Sequence, residues 1–371
     1  EQWLTAAGVN VAPGLKTRLA TATNADGSVV VGRLENDHAF IARVGRPVTE
    51  TGTEAPSPGA GLIDTSHFLD TLLAAARPHR LANAKADMVM HGLHGTPLRE
   101  FLRPGQHSVW TSGDFGRQDH RENNGNVDAG EASYAYGLTS GLMARAAVGR
   151  TYSDNQQIFD GNTTLHGTYL LPEIVYAIPD SPLRASASFY YNTGEAKLRR
   201  GYLNAGTQDY SRATAKTQSQ ALRLRLDWIN AASIAGAVFS PYASLTRSHS
   251  RIDAHSESGG GFPVRWNARA EADTQARIGT DASYDLGNGM NLVGRLEAVH
   301  RLETTGSPAA GEILGLGNFS FAGEPTKRDW LRAGFGAEGK AGPGILSMMV
   351  NTTTEARAAS TWFNASYRIN F

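Results

Sequence analysis

Residues 363–371, Phe-Asn-Ala-Ser-Tyr-Arg-Ile-Asn-Phe, decide the fold of this chain. Every second residue from Phe363 to Phe371 is apolar or aromatic, and the residues between them are polar. Alternation with a period of two predicts a β-strand whose two faces differ in chemistry. A strand with lipid on one side and water on the other has this pattern, and so has an amphipathic last strand of a soluble sandwich.

Composition excludes several classes of function. The 371 residues carry 35 basic and 35 acidic side chains, whereas a nucleic-acid-binding domain needs a basic face. Cysteine is absent, which excludes disulfides and thiolate metal sites. Mean hydropathy is −0.34, and no apolar run approaches the roughly 20 residues of a membrane-spanning helix. A transmembrane β-barrel has equally low hydropathy, because half of its strand residues face a polar lumen.

From residue 107 onward, alternating segments of about 10 to 15 residues are separated by turn-forming residues. We predict an all-β domain of about twelve strands. Their predicted bounds are 107–117, 128–138, 142–152, 163–178, 182–194, 216–229, 234–251, 266–284, 290–303, 327–338, 344–355 and 359–371.

The two faces of several predicted strands differ sharply in polarity. Within 216–229, Leu222, Leu224 and Leu226 alternate with charged residues. In a membrane barrel the apolar row faces lipid and the charged row faces the lumen. The residues predicted to line the lumen are Arg223, Arg225, Asp227, Arg269, Glu271, Asp273, Arg277, Arg295, Glu297, Arg332 and Glu338.

The connections between the predicted strands alternate in length. Short ones such as 139–141 alternate with longer ones such as 195–215, 252–265 and 304–326. Short turns on one rim and long loops on the other are typical of a transmembrane barrel. We therefore predict a monomeric, closed, antiparallel up-and-down barrel over 107–371, with its first strand paired to its last because lipid cannot satisfy an open edge.

The first 106 residues are organised differently. Residues 1–50 form a β-rich module, 51–63 a linker rich in Pro, Gly and Thr, and 64–106 a helical lead-in. A candidate helix around 80–103 carries charges that suit a wet lumen better than an apolar core. These charged residues are Arg80, Lys85, Asp87, Arg99 and Glu100. We expect this helix to plug the barrel through many weak polar contacts and to loosen in high salt.

Residues 64–371 resemble the translocator domain of classical (type Va) autotransporters. The resemblance rests on the helical lead-in, the strand pattern and short local matches at 109–114, 141–149 and 240–245. It implies an outer-membrane protein of a Gram-negative bacterium that exports its own N-terminal passenger to the cell surface by type V secretion. Residues 1–50 would then be a passenger remnant. Breaks at Pro78 and Gly92 depart from the single rod that is usual in this family.

Four residues of the last predicted strand resemble the carboxyl-terminal signal that the outer-membrane assembly machinery reads. They are Asn364, Ser366, Ile369 and Phe371, with Ser366 in place of the usual Gly. The resemblance implies that barrel-assembly machinery and periplasmic chaperones are partners, together with outer-membrane lipid and the chain's own passenger. Nucleic acid is not an expected partner.

Motifs of common enzymes are missing from the sequence. It has no Gly-x-Ser-x-Gly elbow, no paired His at zinc spacing and no phosphate loop. We expect no catalytic residue, no metal and no cofactor, and we place any passenger enzyme outside this chain. A barrel hydrolase would need a His at the wall or rim, and His249 and His300 are available. A passive porin is the other alternative, although a porin has no use for a lead-in helix.

Overall fold

The computed structural model describes residues 2–9, 11, 15–44, 60–76, 78–92, 100–120, 123–355 and 359–371; of 78–84, 119, 120 and 123 it describes the backbone. The helices are α1 (Gln2–Ala6), α2 (Thr65–Ala75) and α3 (Pro78–His91). The strands are β1 (Thr17–Thr23), β2 (Val29–Leu34), β3 (Ala39–Arg43), β4 (Gly61–Asp64), β5 (His107–His120), β6 (Asn123–Gly137), β7 (Leu142–Gln156), β8 (Asn162–Ala177), β9 (Leu183–Asn204), β10 (Thr207–Trp228), β11 (Ala232–Ile234), β12 (Ala237–Ile252), β13 (His255–Ser256), β14 (Val264–Trp266), β15 (Arg269–Gly287), β16 (Met290–Arg301), β17 (Ala309–Ile313), β18 (Gly317–Phe321), β19 (Asp329–Ala341), β20 (Gly344–Thr353) and β21 (Thr361–Asn370). No helix in the described ranges combines the length and apolar character that crossing a membrane requires.

Twelve long strands close into one antiparallel barrel. Around the ring they follow the chain: β5 to β10, then β12, β15, β16, β19, β20 and β21. β21 pairs with β5, so that Ile369 lies opposite Val109, and β10 pairs with β12. The predicted closed barrel, with its first strand paired to its last, is confirmed.

Alternation along the strands gives the wall two different faces. In β10, Leu222 and Leu224 are 50% and 52% exposed, whereas Arg223 between them is 0% exposed. The outer row is apolar and the inner row is charged and closed to solvent. This arrangement is the reverse of a soluble barrel, whose core would be apolar, and it suits a wall surrounded by lipid.

Two corrections concern the long loops predicted on one rim. The predicted loop 195–215 is the tip of the β9–β10 hairpin, whose turn is Ala205-Gly206. Both turn residues have positive φ, 50° and 86°, as a type I′ turn requires. The extension of both strands was missed because beyond the apolar belt the outward row turns polar, as at Lys197 and Arg199, so that the apolar-out pattern used to find the strands ends there. The predicted loops 252–265 and 304–326 contain a small sheet in the order β13-β14-β17-β18.

The N-terminal module is a sheet in the order β1-β2-β3-β4. A β-rich module was predicted for residues 1–50, but β4 occupies the end of the predicted linker 51–63, which corrects that boundary. Leu62 and Ile63 are apolar and almost completely buried, which favours their pairing with β3. The linker residues 51–59 lie outside the described residues. Asp64 then caps α2 by accepting hydrogen bonds from successive backbone N–H groups.

The lead-in contains two helices rather than one rod. Pro78 is the first residue of α3, where its missing N–H costs nothing. α3 ends at His91, and Gly92 follows. The predicted helix 80–103 is therefore too long: residues 100–106 are not helical, and 93–99 lie outside the described residues. Gly92 packs so close to the wall that a Cβ there would lie 2.6 Å from the Asp114 carboxylate.

Candidate functional site in the barrel lumen

Helix α3 lies inside the barrel and contacts β6, β9, β10, β12 and β15. Val89 and Met90 are buried in a cluster with the inward-facing side chains of Ala147, Tyr169 and Tyr190. The inner wall is thus not uniformly polar. An apolar patch on the β6–β10 side receives the apolar residues of α3 and fixes its position by ordinary hydrophobic burial.

The charged side of α3 faces an ion-pair network on the wall. The Asp87 carboxylate accepts a hydrogen bond from the Arg277 guanidinium, which also pairs with Glu297 at 2.8 Å. Arg332 lies 3.6 Å from the second oxygen of Glu297. Asp87 therefore joins a network of alternating charges that spans β15, β16 and β19.

Two wall arginines cap the carboxyl end of α3. Arg223 donates to the carbonyl of Met90, and Arg295 donates to the carbonyl of His91 at 3.3 Å. The last carbonyls of a helix have no partner within the helix and carry the negative end of its dipole. Cations from β10 and β16 therefore supply hydrogen bonds to the last carbonyls of α3 and interact favourably with the negative end of its dipole.

Each capping arginine is held by carboxylates of the wall. Glu173 accepts from Arg223 at 2.8 Å and also pairs with Arg145. Asp281 accepts from Arg295 at 2.7 Å and from Arg225 at 3.1 Å. The inner wall thus presents both caps in a fixed geometry, since the buried charges are paired.

Sequence reasoning missed Arg145, Glu173 and Asp281 as members of this site. Glu173 lies among Leu171, Ile174 and Val175, so both faces of β8 look apolar in the sequence and cannot be distinguished by their polarity. The signal that could have found Glu173 is strict parity, because odd-numbered residues of β8 are the buried ones.

The other predicted lumen residues lie nearer the two rims, with Asp273 and Arg269 toward the rim that carries the small sheet and Asp227 and Glu338 toward the opposite rim. Asp273 accepts from Arg301 at 2.7 Å, and Arg269 donates to Ser307 and to the carbonyl of Ala76 at the end of α2. Asp227 pairs with Arg225 at 2.6 Å. Glu271 and Glu338 are half-buried.

The predicted plug residues divide into three groups. Lys85 and Asp87 lie on α3 within the lumen, and Lys85 is buried. Glu100 is not on a helix, which corrects the prediction; it pairs instead with Arg368 of β21 where β21 and β5 meet. Arg99 and the side chain of Arg80 lie outside the described residues.

The contacts of α3 are less exposed than the sequence suggested. Arg277 is 1% exposed and Asp87 24% exposed at the side chain, whereas a wet lumen predicts ion pairs open to water. The difference arises because α3 fills its side of the lumen and the apolar cluster around Val89 excludes water there.

A second buried network closes the rim above α3. Arg200 of β9 pairs with Glu257 at 2.6 Å and donates to the hydroxyl of Thr71 on α2 at 3.1 Å. Around this pair, Phe68 of α2 packs with Phe262 and with residues of β2, β3, β4 and the small sheet. One hydrophobic core therefore joins the N-terminal module, α2 and the loops of the barrel.

The N-terminal module is also tied to the barrel by hydrogen bonds. Arg43 is 0% exposed and donates to the carbonyls of Gly261 at 3.0 Å and Leu314 at 2.6 Å. The amide of Ala205, at the tip of the long hairpin, donates to the carbonyl of Leu62 in β4 at 2.6 Å. The module and the long hairpin form one continuous structure over the mouth.

Residues of the predicted C-terminal signal divide between the two faces of β21. Asn364 is 1% exposed and points inward, whereas Phe371 is 66% exposed. Ile369 lies opposite Val109 of β5, and Ser366 lies opposite Ser112. Phe371 and His107 exchange backbone hydrogen bonds of 3.0 and 2.8 Å, and their rings stack at 5.5 Å.

The histidines considered for hydrolysis lie on the outer side of the wall. His249 is exposed next to the buried Ser248 and Ser250. The Nδ1 atom of His300 lies 2.7 Å from an Asp329 carboxylate oxygen. Among the described residues, no group of three or more His, Asp or Glu side chains is placed to hold a metal ion.

Comparison with known proteins agrees with this architecture. Residues 109–352 match the family model described as the autotransporter beta-domain. The translocator domain of the autotransporter NalP from Neisseria meningitidis is similar at a TM-score of 0.63 and 15% identity, over 80% of this chain and 98% of that chain. The beta domain of the Bordetella autotransporter BrkA is similar at a TM-score of 0.51 and 17% identity, over 71% of this chain and 99% of that chain. No curated protein sequence matches this chain.

Proposed function

Because this chain belongs to the autotransporter beta-domain family, we propose that α3 is the exported chain as it passes through its own barrel. The protein is an outer-membrane translocator of type V secretion, and it exports its N-terminal passenger to the cell surface. Domains of this family are translocators and not enzymes. The proposal concerns how the residues of this particular chain do that work.

The caps on α3 carry the proposal. The carbonyls of Met90 and His91 accept hydrogen bonds from Arg223 and Arg295, two cations on strands separated around the ring. A helix that merely lay against the barrel would find water for its last carbonyls. In chain order, α2 at the mouth precedes α3 in the lumen, and residues 100–106 lead into β5 at the opposite rim. The described segments therefore follow the order expected of a chain whose N-terminal side is at the surface and whose barrel begins at the periplasmic rim.

We infer a second role for the segment around α3, which is closure of the pore after export. Support comes from the apolar cluster around Val89 and the Asp87–Arg277 pair, which together fix α3 against the wall. A passive porin would need a free lumen, whereas the described contacts of α3 hold it inside the lumen. In this proposal, residues 15–44 and 60–76 belong to the end of the passenger side of the chain and are retained as a cap over the mouth.

Assembly of the barrel is the third part of the proposal. We propose that the barrel-assembly machinery and periplasmic chaperones bind β21 before it pairs with β5, and that Asn364, Ser366, Ile369 and Phe371 are the residues recognised. In support, β21 is a closing strand, so its edge must remain unpaired until the last step of closure. We also propose that any enzymatic or adhesive activity belongs to passenger residues outside this chain.

Conductance across a planar lipid bilayer tests the plug. The full chain should show a closed pore, and a variant lacking residues 78–92 should show stable open-channel current. As a control, deletion of the exposed edge strand β1 should leave the pore closed, because β1 does not enter the lumen. Equal currents from the full chain and the 78–92 deletion would exclude α3 as the plug.

A further inference from the structure

The outer face of the barrel carries a cationic concavity toward the surface end of β8, β9 and β10. Lys197, Arg199 and Arg212 line it, and all three side chains are exposed. Asp154 also lines the concavity, but its Oδ1 atom accepts hydrogen bonds from Asn162 at 2.8 Å and Thr164 at 3.0 Å. Three cations against this one carboxylate leave the concavity with a net positive charge.

Two of these cations face each other across paired strands. Arg199 of β9 and Arg212 of β10 are directly opposite in the antiparallel register. Like charges at directly opposite positions destabilise a sheet. Both guanidiniums lie beside the ring of Tyr210, at 5.1 and 5.6 Å, and Arg199 also donates to the carbonyl of Asp160. Neither contact supplies a negative charge, so an anionic ligand would relieve the repulsion.

The concavity opens toward the lipid-facing wall. Tyr152 of β7 lines the cationic concavity and also a second depression, whose walls include Phe115 of β5. Further along β9 and β10 toward the other rim, the outer face is apolar, with exposed Tyr191, Phe189 and Leu222. The second depression also carries Arg150 and His166, so the cationic concavity lies on the surface side of the apolar belt and is continuous with a polar zone of the outer wall.

We propose that this surface binds a phosphorylated glycolipid of the outer leaflet. Its phosphate groups would contact Lys197, Arg199 and Arg212, and its sugar hydroxyls would reach Ser256 and Ser258, which line the same concavity. The acyl chains would lie in the bilayer against the exposed apolar side chains of Phe189, Tyr191 and Leu222. A lipid is the expected ligand because the cationic site lies on the outer wall beside the apolar belt, where lipid headgroups are present at high local concentration.

Native mass spectrometry of the detergent-solubilised full chain, titrated with diphosphorylated lipid A, tests the proposal. Wild-type protein should bind one equivalent before further, weaker binding. The variant Lys197→Ala/Arg199→Ala/Arg212→Ala should bind more weakly, by about fivefold for each charge lost. The control variant Lys16→Ala/Arg33→Ala/Lys340→Ala removes the same charge from exposed positions elsewhere and should bind like wild type.

Three results would overturn the proposal. Equal binding by the two triple variants would show that the concavity is not the site. Equally tight binding of phosphatidylglycerol would indicate general attraction of anionic lipid. Displacement of lipid A by millimolar inorganic phosphate would indicate a site for free anions. Thermal unfolding of each variant, measured in parallel, separates lost binding from lost structure.

Discussion

Asp87 of α3 and Arg277 of β15, 190 positions apart in the sequence, form an ion pair inside the barrel. Arg277 has a second partner in Glu297 at 2.8 Å, whereas Asp87 depends on this guanidinium for its strongest contact with the wall. Loss of the pair should therefore weaken the attachment of α3 to the wall more than it destabilises the barrel.

Replacing Asp87 with Ala should open the pore without unfolding the barrel. Loss of a charge-assisted hydrogen bond destabilises the bound helix by about 1.5–3 kcal/mol, so openings in a bilayer recording should become at least roughly tenfold more frequent. Asp70→Ala is the matched control, because Asp70 is an exposed carboxylate on α2. If both variants open equally often, general charge loss and not the Arg277 pair controls the plug.

High salt should not release the plug. The sequence alone predicted exposed, weak pairs that salt would loosen, but Arg277 and Glu297 are 1% and 0% exposed at their side chains. Screening by salt shortens the Debye length from about 10 Å at 0.1 M to 3 Å at 1 M, and it acts mainly on exposed charges. Closed-state current should therefore be the same at both concentrations of KCl. A rise in open probability at 1 M KCl would contradict this prediction and would indicate that the ion pairs of α3 are exposed to water in the lumen.

Replacing Arg200 with Ala should loosen α2 at the mouth. The change leaves Glu257 buried without its guanidinium partner, which costs about 3–5 kcal/mol. Hydrogen exchange of the α2 amides (Thr65–Ala75) should accelerate accordingly. Arg265→Ala removes the exposed pair with Glu312, 2.9 Å long, and should cost less than about 1 kcal/mol. Similar exchange rates in the two variants would mean that the buried pair does not clamp the helix.

Replacing Phe371 with Ala should reduce the amount of barrel in the outer membrane more than it reduces stability. Phe371 is an exposed side chain on the lipid-facing side, so its truncation costs at most about 2–3 kcal/mol of burial. Phe363→Ala is the matched control, because Phe363 lies on the same strand and face but outside the proposed signal. The level of the protein in the outer membrane measures assembly. The temperature at which its mobility on a gel changes from the folded to the unfolded position measures stability. Equal levels for both variants would contradict recognition of Phe371.

Much of the barrel was predictable because lipid imposes a simple rule on sequence. Leu222 and Leu224 face lipid and must be apolar, while Arg223 and Arg225 face inward. The requirement therefore produces an alternation with a period of two that can be read from the sequence. Where lipid is absent the rule fails. The tip of the β9–β10 hairpin and the small sheet β13-β14-β17-β18 were therefore assigned to loops.

The site was less predictable because its partners come from distant strands. Arg277 and Asp87 could be named from parity and from helix charge, but their pairing depends on the rotation and depth of α3 in the lumen. The sequence contains no local signal for either quantity. The capping of Met90 and His91 by arginines from β10 and β16 could not be predicted either. Every residue has a main-chain carbonyl, and the sequence does not show which of them accept hydrogen bonds from distant side chains.

The most direct test places one Cys at Asp87 and one at Arg277 in the full chain, which has no native Cys. An Asp–Arg pair exceeds the span of a disulfide, so a short bifunctional thiol reagent is needed. Asp87→Cys with Ile278→Cys is the control, because Ile278 is the outward neighbour and is 66% exposed. We predict efficient crosslinking of position 87 to 277 in intact outer membranes and none of 87 to 278. Absence of the 87–277 link, or an equal yield of both links, would contradict a helix held in the lumen.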